Sequence, residues 1–264
     1  MNALRKGSWA AVLVAGLLPA AQSVAQAPVR PEPPRSGISY ASADLRALQS
    51  DDFANPGMLW VGRGAALWRE AAGRSGKSCA SCHGNAVESM KGVATRYPRA
   101  DPGAGELVDM EGRINICRVR HQDAEPYARE SAELLALTAY VAHQSRGEKL
   151  GVAIEPGSRE RFERGRALYF RRIGQMNLAC AHCHDRHAGG KLGAETISQG
   201  QPNAYPAYRL EWQSLGSLQR RIRACFYGVR AEMPPYGAPE LLDLELYLAW
   251  RGNGLPVETP GVRR

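Results

Sequence analysis

Two five-residue strings carry the most specific chemistry in this 264-residue chain: Cys79-Ala80-Ser81-Cys82-His83 and Cys180-Ala181-His182-Cys183-His184, both C-x-x-C-H. Two thiols at this spacing can each add to a vinyl group of a porphyrin. The histidine that follows can then present its imidazole to the iron as an axial ligand. The pattern is the attachment signature of c-type haem, and its two copies imply two covalently bound haem c groups. Cys79, Cys82, Cys180 and Cys183 would hold the porphyrins, and His83 and His184 the irons. Two zinc knuckles would not each need the trailing histidine.

Two cysteines remain, Cys117 and Cys225, and each has an arginine four residues before it, Arg113 and Arg221. Three readings are open for this pair. The shared position of the two cysteines relative to the haem motifs favours thiolate ligation of each iron on the side opposite the histidine. A Cys117–Cys225 disulfide is the alternative that an oxidising compartment allows, although it needs the two Cα atoms within about 7 Å. Met233 is the third candidate, as a ligand of the second haem. The equivalent residue of the first half is Glu125, so a methionine there is not a shared feature. His121 and His143 have no counterpart in the second half and read as surface or local structural residues. His182 and His187 read as solvent-facing or close to a haem edge.

The elements that must position these groups form a longer repeat. Arg63-Gly64-Ala65-Ala66-Leu67-Trp68 matches Arg164-Gly165-Arg166-Ala167-Leu168-Tyr169, and the stretch from Leu134 to Ala142 matches that from Leu241 to Ala249. Each half thus reads helix, haem motif, variable loop, helix. The last helix carries Leu and Tyr at a spacing of three to four residues, an apolar stripe for packing. The expected fold is mainly α and loop-rich, with two tandem cytochrome c-like domains related by internal duplication. Residues 51–150 would hold the first haem and 151–264 the second, joined near 148–158, with Ser158 placed to cap the next helix. The Gly- and Pro-rich stretches from Tyr97 to Gly105 and from Gly189 to Pro206 read as loops wrapping the haems. The last ten residues show no periodic pattern.

Residues 1–27 have the form of an export signal: Arg5 and Lys6, a short apolar stretch from Trp9 to Leu18, and an Ala25-Gln26-Ala27 cleavage site. Residues 28–50 read as a Pro-rich extension. The composition, 44% apolar and 23% charged, excludes wholesale disorder. The net charge of +8 stays positive without Arg5 and Lys6. No apolar run reaches the length of a membrane span, and nucleic acid is not among the expected partners. The expected location is the periplasm.

The ordered set of Cys79/His83, Cys117, Cys180/His184, Arg221 and Cys225 resembles the SoxA family, the larger cytochrome subunit of the SoxAX complex of thiosulfate oxidation, over nearly the whole mature chain. The resemblance implies two cytochrome c domains and a SoxX-like monohaem partner. It implies an L-cysteine S-thiosulfotransferase reaction, in which thiosulfate is joined oxidatively to a cysteine of the carrier SoxYZ and two electrons pass to an acceptor cytochrome. By motif, Cys225 is the active-site cysteine and an axial ligand, found in the family as a persulfide. Arg221 is the substrate-binding arginine, and Cys117 the ligand of the first haem. Some family members lack the first haem motif, which is intact here. Arginine offers forked donors to a small dianion, and Arg220, Arg221, Arg223 and Arg230 crowd Cys225, a cationic setting that favours thiolate. The competing role for Arg220, Arg223 and Arg230 is a solvated face or haem propionate partners. The rival functions are a dihaem electron-transfer cytochrome without a substrate site and a tetrathionate-forming thiosulfate dehydrogenase.

Overall fold

The computed structural model describes residues 33–264, so the export signal expected at 1–27 lies outside the described residues. The first half holds helices α1 (Ala43–Ser50), α2 (Met58–Arg69), α3 (Cys79–His83), α4 (Ala86–Ser89), α5 (Met110–Cys117) and α6 (Ala132–His143), with a hairpin of β1 (Arg99–Asp101) and β2 (Glu106–Val108) before α5. The second half holds α7 (Arg159–Phe170), α8 (Cys180–His184), α9 (Leu218–Gly228) and α10 (Pro239–Arg251). Two hairpins precede α9: β3 (Lys191–Leu192) with β4 (Glu195–Thr196), and β5 (Ala207–Arg209) with β6 (Ser214–Gly216). A last strand, β7 (Gly261–Arg263), runs parallel to β5.

Each half is built on one crossed helix pair, α2 with α6 and α7 with α10. The crossing explains the two repeated glycines. A Cβ on Gly64 would lie 2.1 Å from the Ala136 carbonyl oxygen, and one on Gly165 would lie 1.9 Å from that of Asp243. Only glycine lets the backbones approach this closely. Around the second crossing Phe162, Tyr169, Leu241, Leu244 and Tyr247 form a buried core; around the first, Trp68, Leu137 and Val141 do the same.

The end of each cysteine-bearing helix is tied to the turn ahead of each haem motif. Arg74 N and Ser75 N donate to the Asp123 and Gln122 carbonyls, and Gln175 N and Met176 N donate to those of Arg230 and Val229. Asp123 and Arg230 both have left-handed backbone, at φ 51° and 55°. The first half has one more residue between its cysteine and this point, and a π-helical turn over Arg118–Gln122 absorbs it.

Several expectations are corrected. Ser158 stands at the start of α7, but its side chain caps nothing; its hydroxyl donates instead to the Glu155 carbonyl at 3.2 Å. The second part of the segment before the first domain is helical, Ala43–Ser50, with Ser42 accepting from Leu45 N. Of the stretches expected as loops, Tyr97–Gly105 carries β1, paired with β2 just beyond it, and Gly189–Pro206 contains the hairpin β3–β4. The pattern-free C-terminal segment supplies β7, whose Val262 N donates to Gln49 of α1 at 2.9 Å. The sheet β6-β5-β7 of the second half packs on the first: Tyr208 and Leu215 cluster with Val61, Leu135 and Ala139, and the Tyr208 and Trp60 rings are 5.8 Å apart.

Candidate active site

The two haem motifs are short helices whose first turns are fixed by local side chains. Ser81 Oγ accepts from Ser78 N at 3.0 Å, and His182 Nδ1 accepts from Ala179 N at 2.9 Å, so His182 is a capping residue. His184 Nδ1 donates to the Ser198 carbonyl at 2.8 Å. That bond fixes the tautomer and leaves Nε2 free for a metal. Gly200, with φ +70°, lies flat on this ring, and a Cβ there would come 3.0 Å from it. In the first half the Trp68 ring lies 5.8 Å from His83, and its indole N–H donates to the Gly84 carbonyl at 3.0 Å.

Helix α9 starts at Ser217, whose hydroxyl accepts from Arg220 N at 3.0 Å. It buries Gln219, Ile222 and Phe226, which turns Arg221 and Cys225 to one shared face. Cys225 lies close to His184. Burial pushes its thiol up, but the hydrogen bond from His184 and the charges of Arg221 and Arg209 outweigh this and bring it down to about 7. Cys180, half-buried and beside Cys225, is pushed up to about 12, chiefly by desolvation. Cys117 sits by Cys82, and burial, opposed by Arg113, raises its thiol.

All six cysteines are unpaired. Cys117 belongs with Cys82 and Cys79, and Cys225 with Cys180 and Cys183; this sets the Cys117–Cys225 disulfide aside. Met233 is exposed, and His143 bonds the Thr259 carbonyl at 3.2 Å, a structural role.

The arginines divide sharply. Arg220 stacks on Trp212 at 4.3 Å and donates to Ser214 Oγ. Arg223 stacks on Tyr236 at 4.4 Å and donates to the Pro234 carbonyl. Arg230 is exposed. Arg221 is half-buried, and among the described residues its guanidinium has neither a hydrogen bond nor an ion pair, although it lies within electrostatic reach of Cys225. Its first-half counterpart, Arg113, donates to Asp101 Oδ2 at 2.7 Å.

Sequence reasoning passed over Arg209 and Asp185, left the role of Arg251 open and read Tyr169 only as a position of the helix repeat. Arg251, fully buried, donates to Asp185 Oδ1 and to the Gln199 carbonyl and lies 4.4 Å over the Tyr169 ring, whose hydroxyl also donates to Asp185. Arg251 Nε and both amide atoms of the buried Gln201 have no partner among the described residues. Buried polar atoms of this kind call for a bound group, and beside His184 they suit a haem and its carboxylates. The donor set of each half, two thiols and an imidazole on one short helix with a third thiol facing it, fits haem c.

Helix pair, C-x-x-C-H helix and facing cysteine together define a cytochrome c-type protein. The profile of the SoxA/TsdA cytochrome c domain matches residues 63–150. The L-cysteine S-thiosulfotransferase subunit SoxA of Pseudaminobacter salicylatoxidans is 44% identical over 230 residues, covering 87% of this chain and 80% of the relative. That of Rhodovulum sulfidophilum is 39% identical with the same coverage of both chains. The crystal structure of SoxXA from P. pantotrophus superposes with a TM-score of 0.84 at 37% identity, covering 88% of this chain and 87% of that one. The chain belongs to the SoxA family.

Proposed function

We propose that this chain is the catalytic dihaem subunit of a periplasmic L-cysteine S-thiosulfotransferase, paired with a SoxX-like monohaem cytochrome and acting on a SoxYZ-like carrier. Residues 51–150 and 151–264 form its two haem domains. Cys79 and Cys82 would hold the first haem and Cys180 and Cys183 the second, and His83 with Cys117, and His184 with Cys225, would ligate the irons. The observation that carries the reading is the pairing difference between the two arginines. Arg113 is neutralised by Asp101, whereas Arg221, one helical turn from Cys225, has its donors free for an anion.

The chain's own residues account for the steps as follows. Arg221 takes the sulfonate oxygens of thiosulfate with its fork. This turns the outer sulfur toward the Cys225 thiolate, which nearby cations favour. A sulfur–sulfur bond forms between the two, and two electrons leave. Bound haem supplies the acceptor for those electrons, which pass on to an acceptor cytochrome. The carrier's cysteine thiolate then attacks the outer sulfur, takes the thiosulfate group, and returns Cys225 as thiolate.

The test is Arg221→Ala in the complex with its monohaem partner. A charge-assisted contact to a dianion contributes about 1.5–3 kcal/mol, so kcat/KM for carrier-dependent thiosulfate oxidation should fall roughly 10- to 150-fold. Arg221→Lys should recover part of this, and haem content and visible spectrum should stay at wild type. Near-normal turnover in a fully haem-loaded Arg221→Ala protein would overturn the reading. Strict dependence on the carrier separates this reaction from tetrathionate formation.

A further inference from the structure

The two halves can be matched through their hairpins as well as their helices. Hairpin β1–β2 stands before Arg113 and Cys117 as hairpin β5–β6 stands before Arg221 and Cys225, at one constant spacing. In the first hairpin Asp101 pairs with Glu106 across the ladder; in the second Arg209 pairs with Ser214. Asp101 and Arg209 therefore occupy the same place, the last residue of the first strand, with opposite charge.

The consequence can be followed bond by bond. Asp101, anchored by Gly103 N at 2.9 Å and Ala104 N at 3.0 Å, accepts from Arg113 and occupies its guanidinium. Arg209, only 3% exposed, instead draws two carboxylates to itself. It donates to Glu211 at 2.8 Å and pairs with Glu195 at 3.5 Å. Both carboxylates also act electrostatically on Arg221, yet neither bonds to it. They are half-exposed side chains with several rotatable bonds, and among the described residues Arg209 is the group to which both are bonded. The other cation nearby, Arg263, is paired with Glu258 at 3.5 Å and does not compete for them.

We propose that Arg209 is a positioning residue of the thiosulfate site: it sequesters Glu195 and Glu211 and thereby keeps the Arg221 fork unpaired for the anion. The exchange of Asp101 for Arg209 at one hairpin position thus decides which half takes a sulfur oxyanion and which keeps its arginine closed. This rests on the assignment of Arg221 to thiosulfate.

The experiment measures KM and kcat for thiosulfate, and its Kd by calorimetry without carrier, in the haem-loaded complex. Arg209→Gln frees the carboxylates to close on Arg221, and KM and Kd should rise about tenfold or more, the scale of one charge-assisted contact, with the haem spectrum little changed. Arg209→Lys, which keeps a cation for at least one carboxylate, should retain most of the affinity. The decisive variant combines Arg209→Gln with Glu195→Gln and Glu211→Gln. With no carboxylate left to close on Arg221, KM should return to within about threefold of wild type. A merely structural role for Arg209, or direct contact with thiosulfate, would not be rescued by removing its acidic partners, and absence of rescue would overturn the proposal. So would an unchanged KM in Arg209→Gln beside a raised KM in Arg221→Ala. If Arg221→Ala also binds thiosulfate normally, the assignment of Arg221 fails, and this inference with it.

Discussion

Cys117 and Cys225 stand at equivalent places on equivalent helices, yet their surroundings differ. Beside Cys225 are His184, the unpaired Arg221 and Arg209; beside Cys117 the one close arginine is engaged with Asp101. The two cysteines should therefore separate by function. In magnetic resonance of the oxidised protein both halves should give low-spin histidine/thiolate signals. Cys117→Ser should change only the signal of the first haem and leave most carrier-dependent turnover, whereas Cys225→Ser should change the second and abolish turnover. Loss of turnover in Cys117→Ser with an unaltered second haem would reverse the roles of the halves. The cysteines, histidines and Arg221 were legible in sequence because each recurs at a fixed spacing. Arg209 was not, because its significance lies in being unlike its counterpart, and because three-residue strands are too short for an alternating pattern.

At the scale of elements, helices α2, α6, α7 and α10 were readable from glycine, aromatic and leucine positions, since a packed helix repeats its buried face every three to four residues. The hairpins were not, because strands of two or three residues are too short to show an alternating pattern, and β7 was not, because its partner lies far away in sequence, as Gly261 lies from Ala207. The helix crossings give a prediction with its own control. Gly64→Ala drives a Cβ into the Ala136 carbonyl, while Gly62→Ala on the same helix meets nothing within 4 Å. The first should destabilise the protein by about 1–3 kcal/mol, lowering Tm by roughly 2–12 °C. The second should leave it unchanged or raise it slightly. Equal Tm values for the two variants would show that the crossing does not depend on the glycine.

Across the whole molecule, the halves meet around a group of buried acids. Asp109 and Glu111 share Arg129, with Glu245 and Gln219 beside them, along a cavity of about 110 Å³ that also reaches Tyr97, Tyr205 and Ser217. Burial, followed by the charge of Asp109, pushes the Glu111 carboxyl up to about 8 from the usual 4.5. The folded protein thus holds a proton there that the unfolded chain releases above about pH 4.5. Its stabilising effect is complete below that pH and is lost as pH rises toward 8, with a slope of at most about 1.4 kcal/mol per unit for one group. Urea unfolding from pH 5 to 8 should show stability falling with pH, and Glu111→Gln should flatten the fall; an unchanged slope in that variant would place the proton elsewhere. The sheet that carries Arg209 bears on modularity. Tyr208, the residue just before Arg209 on β5, rests against Trp60 and the α2–α6 pair. The first half is thus also a pedestal for the strand that carries Arg209, a duty that needs no porphyrin in that half. If the proposed assignments hold, a chain stripped of Cys79 and Cys82 should lose its first haem and keep thiosulfate binding, while residues 151–264 expressed alone keep a haem motif and lose the Trp60 face against which Tyr208 rests.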